Sequence, residues 1–262
     1  MAAAGKRLRM PKRDLIFRKQ LLNAAGSLGF AQDPRALVDW DEFGAFITNP
    51  ISMRPRTAAE SPALIEYPGG FLLHTGFPNP GFRRVLQQHR RSWEQSPLPT
   101  IVNLMADRPY ETRDMVRALE GMDNVLAAEL GFAPLLADDQ LLIAVEMSLG
   151  ELPLIVSLPA EQLLRLGPKL LNSGATALSI AAPRGALTRD GDLVSGRLFG
   201  PSLFPTALEL VRAASRIGLP IIGAGGVFSK DDAQAMLAAG AMAVEMDVGL
   251  WIPGLNKKSL VN

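Results

Sequence analysis

The feature that most constrains the fold of this chain is an alternation of short apolar segments with amphipathic segments of helical length. The apolar segments lack strict two-residue alternation, which is typical of strands buried on both faces. The amphipathic segments place apolar residues at helical spacing. The predicted strands are residues 21–26, 45–49, 100–105, 125–130, 152–159, 177–183, 219–226 and 243–248, and the predicted helices are 80–95, 108–121, 160–174, 204–218 and 229–240.

Eight strands separated by helices predict an α/β fold of the (β/α)8 TIM barrel type, which we expect to span residues 21–250. A chain of 262 residues is long enough for one such domain. An open, doubly wound parallel sheet is the structural alternative, because the same alternation builds it. The pattern therefore favours a single barrel without excluding the open sheet.

Two segments interrupt this alternation. Residues 50–79 contain five prolines, and we expect them to cross the barrel mouth with a hairpin at 65–73. The 14 residues after Val248 are interrupted by proline and glycine, so the eighth helix is expected to be incomplete or missing and residues 251–262 to form a short tail. An uncovered flank would then expose Leu250, Trp251 and Ile252 to a protein partner or a second copy, unless these residues fold back as a plug.

Residues 1–20 form a basic arm with seven Lys and Arg residues against one Asp. Such an arm binds a protein partner or an anionic membrane surface, serves as a targeting segment, or is a solvated tail. Nucleic acid is not an expected partner, because the basic clusters lack interleaved aromatic residues. The residues expected to make the contact are Lys6, Arg7, Arg9, Lys12 and Arg13.

The composition excludes several classes of site and location. The chain has no cysteine, which rules out disulfides and a thiolate nucleophile, and its two histidines make a metal site unexpected. No apolar run is long enough to span a membrane, and no secretory signal is visible. We therefore expect a cytoplasmic protein, or one inside an organelle if the arm is a targeting segment, with peripheral attachment to a membrane complex as a further option.

A glycine turn after the seventh predicted strand has the features of a phosphate site. Gly223, Gly225 and Gly226 would let backbone N–H groups approach an anion, and the helix that starts after Ser229 would add its dipole. The alternative is that these glycines only shape the turn. Asp247, at the end of the eighth strand, places a carboxylate beside that position and opposes a phosphate there.

Five segments of the chain together resemble the class 1 dihydroorotate dehydrogenases, with the barrel of dihydropyrimidine dehydrogenase next in similarity. The segments are residues 22–30, 44–56, 74–82, 195–211 and 221–245. The resemblance implies a TIM barrel with FMN at the carboxyl ends of the strands. By position, it implies that Ala24, Ala25 and Gly26 back the flavin ring, Gly196 and Gly200 line the ribityl chain, and Gly223, Gly225 and Gly226 hold the phosphate.

The chain departs from that family pattern at the positions that carry chemistry. The lysines that contact the flavin are replaced by Asn49 and Ser157, and the catalytic base by Phe132, which cannot accept a proton. The substrate asparagines correspond to Glu129, Pro134 and either Ile180 or Ala181, and the glycine-threonine pair of the phosphate cup corresponds to Asp247 and Val248. No catalytic residue is therefore assigned by position.

These departures lead to a first hypothesis: a catalytically degenerate barrel without cofactor, acting as a structural or accessory subunit of a larger assembly. The alternative is an active FMN-dependent oxidoreductase with a pyrimidine-type or altered small substrate and a relocated base. Under this alternative, Arg184, Arg197 or Lys230 must screen Asp247. A third possibility is a sensor that binds an unphosphorylated or cationic small molecule near Asp247.

Overall fold

The computed structural model describes residues 13–33, 35–36, 38–61, 63–133 and 136–251. Within those ranges, the strands are β1 (Leu21–Asn23), β2 (Phe43–Ile47), β3 (Ala63–Tyr67), β4 (Gly70–His74), β5 (Thr100–Met105), β6 (Val125–Gly131), β7 (Leu154–Leu158), β8 (Ala177–Ile180), β9 (Arg184–Arg189), β10 (Asp192–Phe199), β11 (Ile221–Ala224) and β12 (Ala243–Met246). The helices are α1 (Phe82–Glu94), α2 (Pro109–Leu119), α3 (Asp138–Met147), α4 (Ala160–Asn172), α5 (Phe204–Arg216) and α6 (Lys230–Ala238).

Eight parallel strands close into a barrel, which confirms the predicted fold. Their spatial order is β1, β12, β11, β8, β7, β6, β5 and β2, and β1 pairs with both β12 and β2. The open-sheet alternative is therefore wrong. Several predicted strands ran too long at their carboxyl ends, because residues such as Gly225 and Gly226 turn with positive φ instead of extending the strand.

The helical layer differs from the ideal barrel at three places. Helix α3 was not predicted; its apolar residues are spread around the helix instead of along one stripe. Between β1 and β2 the described residues hold only a 3-10 helix at Trp40–Glu42. After β12 there is a 3-10 helix at Val248–Trp251 and no α-helix up to residue 251, in line with the expected missing eighth helix, whereas residues 252–262 lie outside the described part.

A four-stranded antiparallel sheet, in the order β3, β4, β10 and β9, is built from two insertions. The first insertion contains the predicted hairpin, which is confirmed as β3 and β4. The second hairpin, β9 and β10, was not predicted, and β10 pairs with β4 through Arg197 opposite Leu73. Both insertions follow the carboxyl ends of barrel strands, so this sheet lies at the mouth where barrel enzymes carry their sites.

The core has two parts. Inside the barrel, Leu22, Ile47, Ile101, Ile155 and Ile222 are fully buried against one another. A larger apolar cluster fills the space between strands and helices. Because the interior is packed with side chains, this barrel has no pore through its lower layers.

Both segments expected to contact partners are described only in part. In the expected flank, Leu250 is buried, and Trp251 is 43% exposed and donates from its indole N–H to Ser27; Ile252 lies outside the described residues. In the basic arm, Arg13 forms an ion pair with Glu151 at 3.7 Å, whereas Lys6, Arg7, Arg9 and Lys12 lie outside the described residues. No described helix combines the length and apolar character needed to cross a membrane.

Candidate functional site at the barrel mouth

Four polar side chains form a buried layer above the apolar interior, one on each of β5, β6, β8 and β12. Glu129 on β6 accepts a hydrogen bond from Asn103 Nδ2 at 2.8 Å and another from Ser179 Oγ at 2.6 Å. Glu245 on β12 lies close enough to Glu129 for the two carboxyls to influence each other's pKa. All four side chains are at most 5% exposed. A polar layer of this kind is costly to bury unless its members pair, as these largely do.

The two carboxyls of this layer hold protons more tightly than free carboxyls do. Burial raises the pKa of Glu129, although its hydrogen bonds oppose that rise. The pKa of Glu245 lies well above its usual value, because of burial first and the neighbouring Glu129 second. One carboxyl oxygen of Glu245, Oε1, is buried without a hydrogen-bond partner among the described residues. Burial and mutual proximity therefore favour the protonated forms of these two carboxyls.

Arg197, on β10, places a cation at the mouth. Its guanidinium carbon lies 3.7 Å from the centroid of the Phe77 ring and 5.5 Å from that of Phe199. Burial lowers the pKa of Arg197 to about 10, and the neighbouring Arg184 contributes, so the group stays charged near neutral pH. Within the described residues no carboxylate forms an ion pair with it. A largely buried cation that contacts aromatic faces, with no ion-pair partner among the described residues, is available to an anionic ligand.

The structure separates the predicted cofactor glycines into packed and open positions. A Cβ at Gly196 would stand 2.6 Å from Leu72, and one at Gly200 would stand 2.3 Å from the Gly69 oxygen. Likewise, a Cβ at Gly226 would lie 2.5 Å from the backbone nitrogen of Phe204. Packing alone therefore explains these three glycines.

Gly26 and Gly225 are the open positions of the set, and both have positive φ. A Cβ at Gly26 would meet only Pro50 at 3.7 Å and the Arg197 guanidinium at 4.0 Å. A Cβ at Gly225 would meet only Ala207 at 3.4 Å. Ala24 and Ala25, which precede Gly26, are half-buried, whereas Gly223 packs against Met236 on α6. Packing against neighbouring atoms therefore does not explain Gly26 and Gly225 in the way that it explains the other three.

Asp247 lies one residue beyond β12 and is only 8% exposed. Its Oδ1 accepts a hydrogen bond from the backbone N–H of Val248. Burial raises the pKa of Asp247 to about 6, even though hydrogen bonds from the Val248 and Gly249 backbone act to lower it. The carboxylate therefore folds onto the amide groups of its own turn.

The positions matched to lost catalytic groups have structural roles where the structure describes them. Asn49 exchanges two hydrogen bonds with Gly29, one through its backbone N–H and one through its side-chain oxygen, at 2.7 and 3.0 Å. Phe132 packs against the main core just after β6. Ser157 is half-buried on β7, and Ile180 is buried at the end of β8. Pro134 lies outside the described residues.

Sequence reasoning missed most of the polar layer. It placed Glu129 by alignment and favoured a solvated or capping role for it over a carboxylate pair with Glu146. It named Arg197 as one of three cations and did not single out Asn103, Ser179 or Glu245. A usable signal existed, because Asn103, Ser179 and Glu245 are each a polar residue inside a largely apolar segment. In a barrel, such positions come together at one depth. The described residues contain no cluster of three acidic or histidine side chains suited to a metal ion.

Comparison with known proteins agrees with this architecture. The family model described as dihydroorotate dehydrogenase matches residues 9–130 and 171–257 and leaves out 131–170, which include Phe132 and Ser157. The catalytic subunit of dihydroorotate dehydrogenase B (NAD(+)) from Trichlorobacter lovleyi is 26% identical over 260 residues, covering 91% of this chain and 86% of that protein. The corresponding subunit from Streptococcus pneumoniae is 30% identical over 267 residues, covering 91% and 85%.

A solved structure shows the same fold. The dihydroorotate dehydrogenase of Eimeria tenella, determined in complex with ferulenol, superposes with a TM-score of 0.74 at 17% sequence identity. The match covers 91% of this chain and 78% of that one. The family-model match extends over most of the sequence, and the described residues form a closed barrel with an additional sheet at its mouth. This chain belongs to the dihydroorotate dehydrogenase family.

Proposed function

We propose that this chain is an oxidoreductase of the dihydroorotate dehydrogenase family that binds a small cyclic carboxylate, of the pyrimidine type, at the barrel mouth. The observation that carries the proposal is the charged Arg197 guanidinium, which is largely buried among aromatic rings and has no acidic partner among the described residues. A substrate carboxylate would supply that partner. Binding a carboxylate to such a group gives a charge-assisted hydrogen bond, which is stronger than a neutral one.

The carboxyl pair below the mouth supports the same proposal. Oxidation of a dihydropyrimidine ring releases a proton, which needs an acceptor. Glu129 and Glu245 lie at the end of the barrel where this family carries its chemistry, and burial raises the pKa of both carboxyls. The pair would thus replace the base whose position is taken by Phe132, with Ser179 placed to hold the acceptor oxygen of Glu129.

The cofactor of the family fits this site only in part. The small, open surface of Ala24, Ala25 and Gly26 beside the Arg197 cation suits the ring end of a flavin. The phosphate end does not fit, because the buried Asp247 carboxylate lies in the turn where a phosphate would bind. A flavin ring, when bound, supplies the oxidising equivalent; the residues of this chain bind, orient and accept a proton.

Substrate binding tests the proposal without depending on the cofactor. We expect orotate and dihydroorotate to bind the purified chain in titration calorimetry, and Arg197→Gln to weaken that binding by at least about tenfold through loss of a charge-assisted contact. Arg184→Gln is the matched control, since Arg184 pairs with Arg197 across the hairpin but is exposed. Equal affinities for the wild type and both variants, or no binding of either ligand, would contradict the proposal.

A second candidate function is a non-catalytic, cofactor-free barrel that serves as a subunit of an assembly. Asp247 and the replacement of the base by Phe132 favour it. The contact surfaces would be the basic arm and Trp251, which is 43% exposed at the end of the described chain. The protein purified gently from its native source would then be colourless and migrate with a partner on a native gel, whereas a bound flavin in a lone chain would contradict this candidate.

A further inference from the structure

The turn after β12 already contains an anion bound to backbone amides. The Asp247 carboxylate accepts from the N–H of Val248, and the N–H of Gly249 also acts on it. A phosphate group bound at a strand-to-helix turn uses amide donors of this kind. The side chain of Asp247 therefore occupies donors that an external phosphate would need.

The neighbouring turn after β11 is occupied in the same way. Asp232 accepts hydrogen bonds from the backbone N–H groups of Phe228 at 3.0 Å and Ser229 at 2.9 Å, while Ser229 Oγ accepts from the Asp232 N–H. This capping box satisfies the amino end of α6 from within the chain. The two turns are packed together, since a Cβ on Gly249 would lie 3.2 Å from the Val227 oxygen.

The remaining features of the mouth favour a ligand with a ring at one end and an uncharged chain at the other. A Cβ at Gly26 would meet no atom closer than 3.7 Å, and one at Gly225 would meet only Ala207 at 3.4 Å. The Arg197 guanidinium lies 4.0 Å from the Gly26 position. The site therefore carries two opposite charges: the Arg197 guanidinium beside Gly26 is cationic, and the Asp247 carboxylate is anionic. A ligand with a hydroxyl at the Asp247 end can donate to the carboxylate, whereas a phosphate there meets like charge.

We propose that the barrel mouth accepts a flavin that lacks the terminal phosphate, with the Asp247 carboxylate taking the place of that phosphate. Riboflavin is the flavin of this class, and FMN is its 5′-phosphate. The inference rests on the proposed function for the position of the flavin ring. The new element is the identity of the flavin that the site selects. Selection arises because a buried carboxylate next to a phosphate dianion costs several kcal/mol even at an effective dielectric constant of about 20.

Titration of the purified full chain with riboflavin and with FMN, followed by quenching of flavin fluorescence, tests the proposal. Near pH 8 we expect riboflavin to bind at least about a hundredfold more tightly than FMN. Asp247→Gly should remove most of this difference by strengthening FMN binding. Asp231→Asn, which removes an exposed charge from the first turn of α6, should leave the difference unchanged.

Two outcomes with the wild-type protein overturn the inference. If wild-type protein binds FMN as tightly as riboflavin, Asp247 does not replace the phosphate. If neither flavin binds the wild type, no phosphate-free flavin is accepted; orotate binding that depends on Arg197 would then leave the proposed substrate site standing. If Asp247→Gly fails to fold, the wild-type preference decides alone, and it should narrow near pH 5, where Asp247 takes up a proton.

Discussion

Replacing Asp247 with asparagine should stabilise this protein at alkaline pH, because the carboxylate is ionised in a buried position. Its pKa rises from 3.8 to about 6 on folding. A difference of about 2 units corresponds to about 3 kcal/mol. Because the folded pKa is the higher one, the stability linked to this group is fully present below the unfolded pKa and is lost as pH rises through about 6. The cost of ionisation therefore grows from well under 1 kcal/mol near pH 4 to about 3 kcal/mol near pH 8.

The Asp247→Asn side chain has the same shape and can still accept from the Val248 N–H, so its own contribution is independent of pH in this range. Urea unfolding of wild type and variant at several pH values between about 4 and 8 gives the difference in unfolding free energy directly. Between about pH 4 and pH 8, we expect the unfolding free energy of the variant to rise by about 2 to 3 kcal/mol relative to that of the wild type. The reasoning is refuted if the difference does not change with pH, or if the exposed control Asp231→Asn shows the same trend.

Three further changes test separate parts of the structure. Glu245→Gln, whose side chain is neutral at every pH, should leave the unfolding free energy near about pH 4 almost unchanged. It should reduce the loss of stability as pH rises through the raised pKa of Glu245, and urea unfolding near about pH 4 and about pH 8 measures this. Gly226→Ala should lower the thermal midpoint much more than Gly121→Ala, because both positions have positive φ but only the first would place its Cβ against backbone atoms. Ser229→Ala should cost about 1 kcal/mol in urea unfolding by breaking the α6 capping box.

The barrel was predictable because its strands are buried on both faces and its helices have one apolar face. Strand β5 matched residues 100–105 at both ends, with Pro99 directly before it and Asp107 two residues after it. The β9–β10 hairpin escaped prediction because half of its strand residues are exposed and its segments are not predominantly apolar. Helix α3 escaped for a related reason, as its apolar residues do not follow one stripe.

The candidate site was predictable in outline and not in detail. The glycine turns placed a ligand at the carboxyl ends of the strands, but sequence cannot distinguish Gly226, where a Cβ would clash with backbone, from Gly225, where a Cβ would meet only Ala207 at 3.4 Å. The role of Arg197 depends on the pairing of β10 with β4, two elements far apart in the chain. Long-range pairing of this kind leaves no local signal.

The same limit explains why Asp247 first suggested a lost function. In a turn expected to hold a phosphate, an aspartate repels the ligand, and it was therefore interpreted as a sign that cofactor binding had been lost. In the folded chain it is a hydrogen-bonded anion in a turn that needs one, and Asp232 has the same relation to the neighbouring turn. A carboxylate that satisfies backbone donors removes the need for an external phosphate to hold the two turns together. We therefore expect Asp247 to change which ligand the mouth selects, while the Arg197 cation and the carboxyls of Glu129 and Glu245 stay in place.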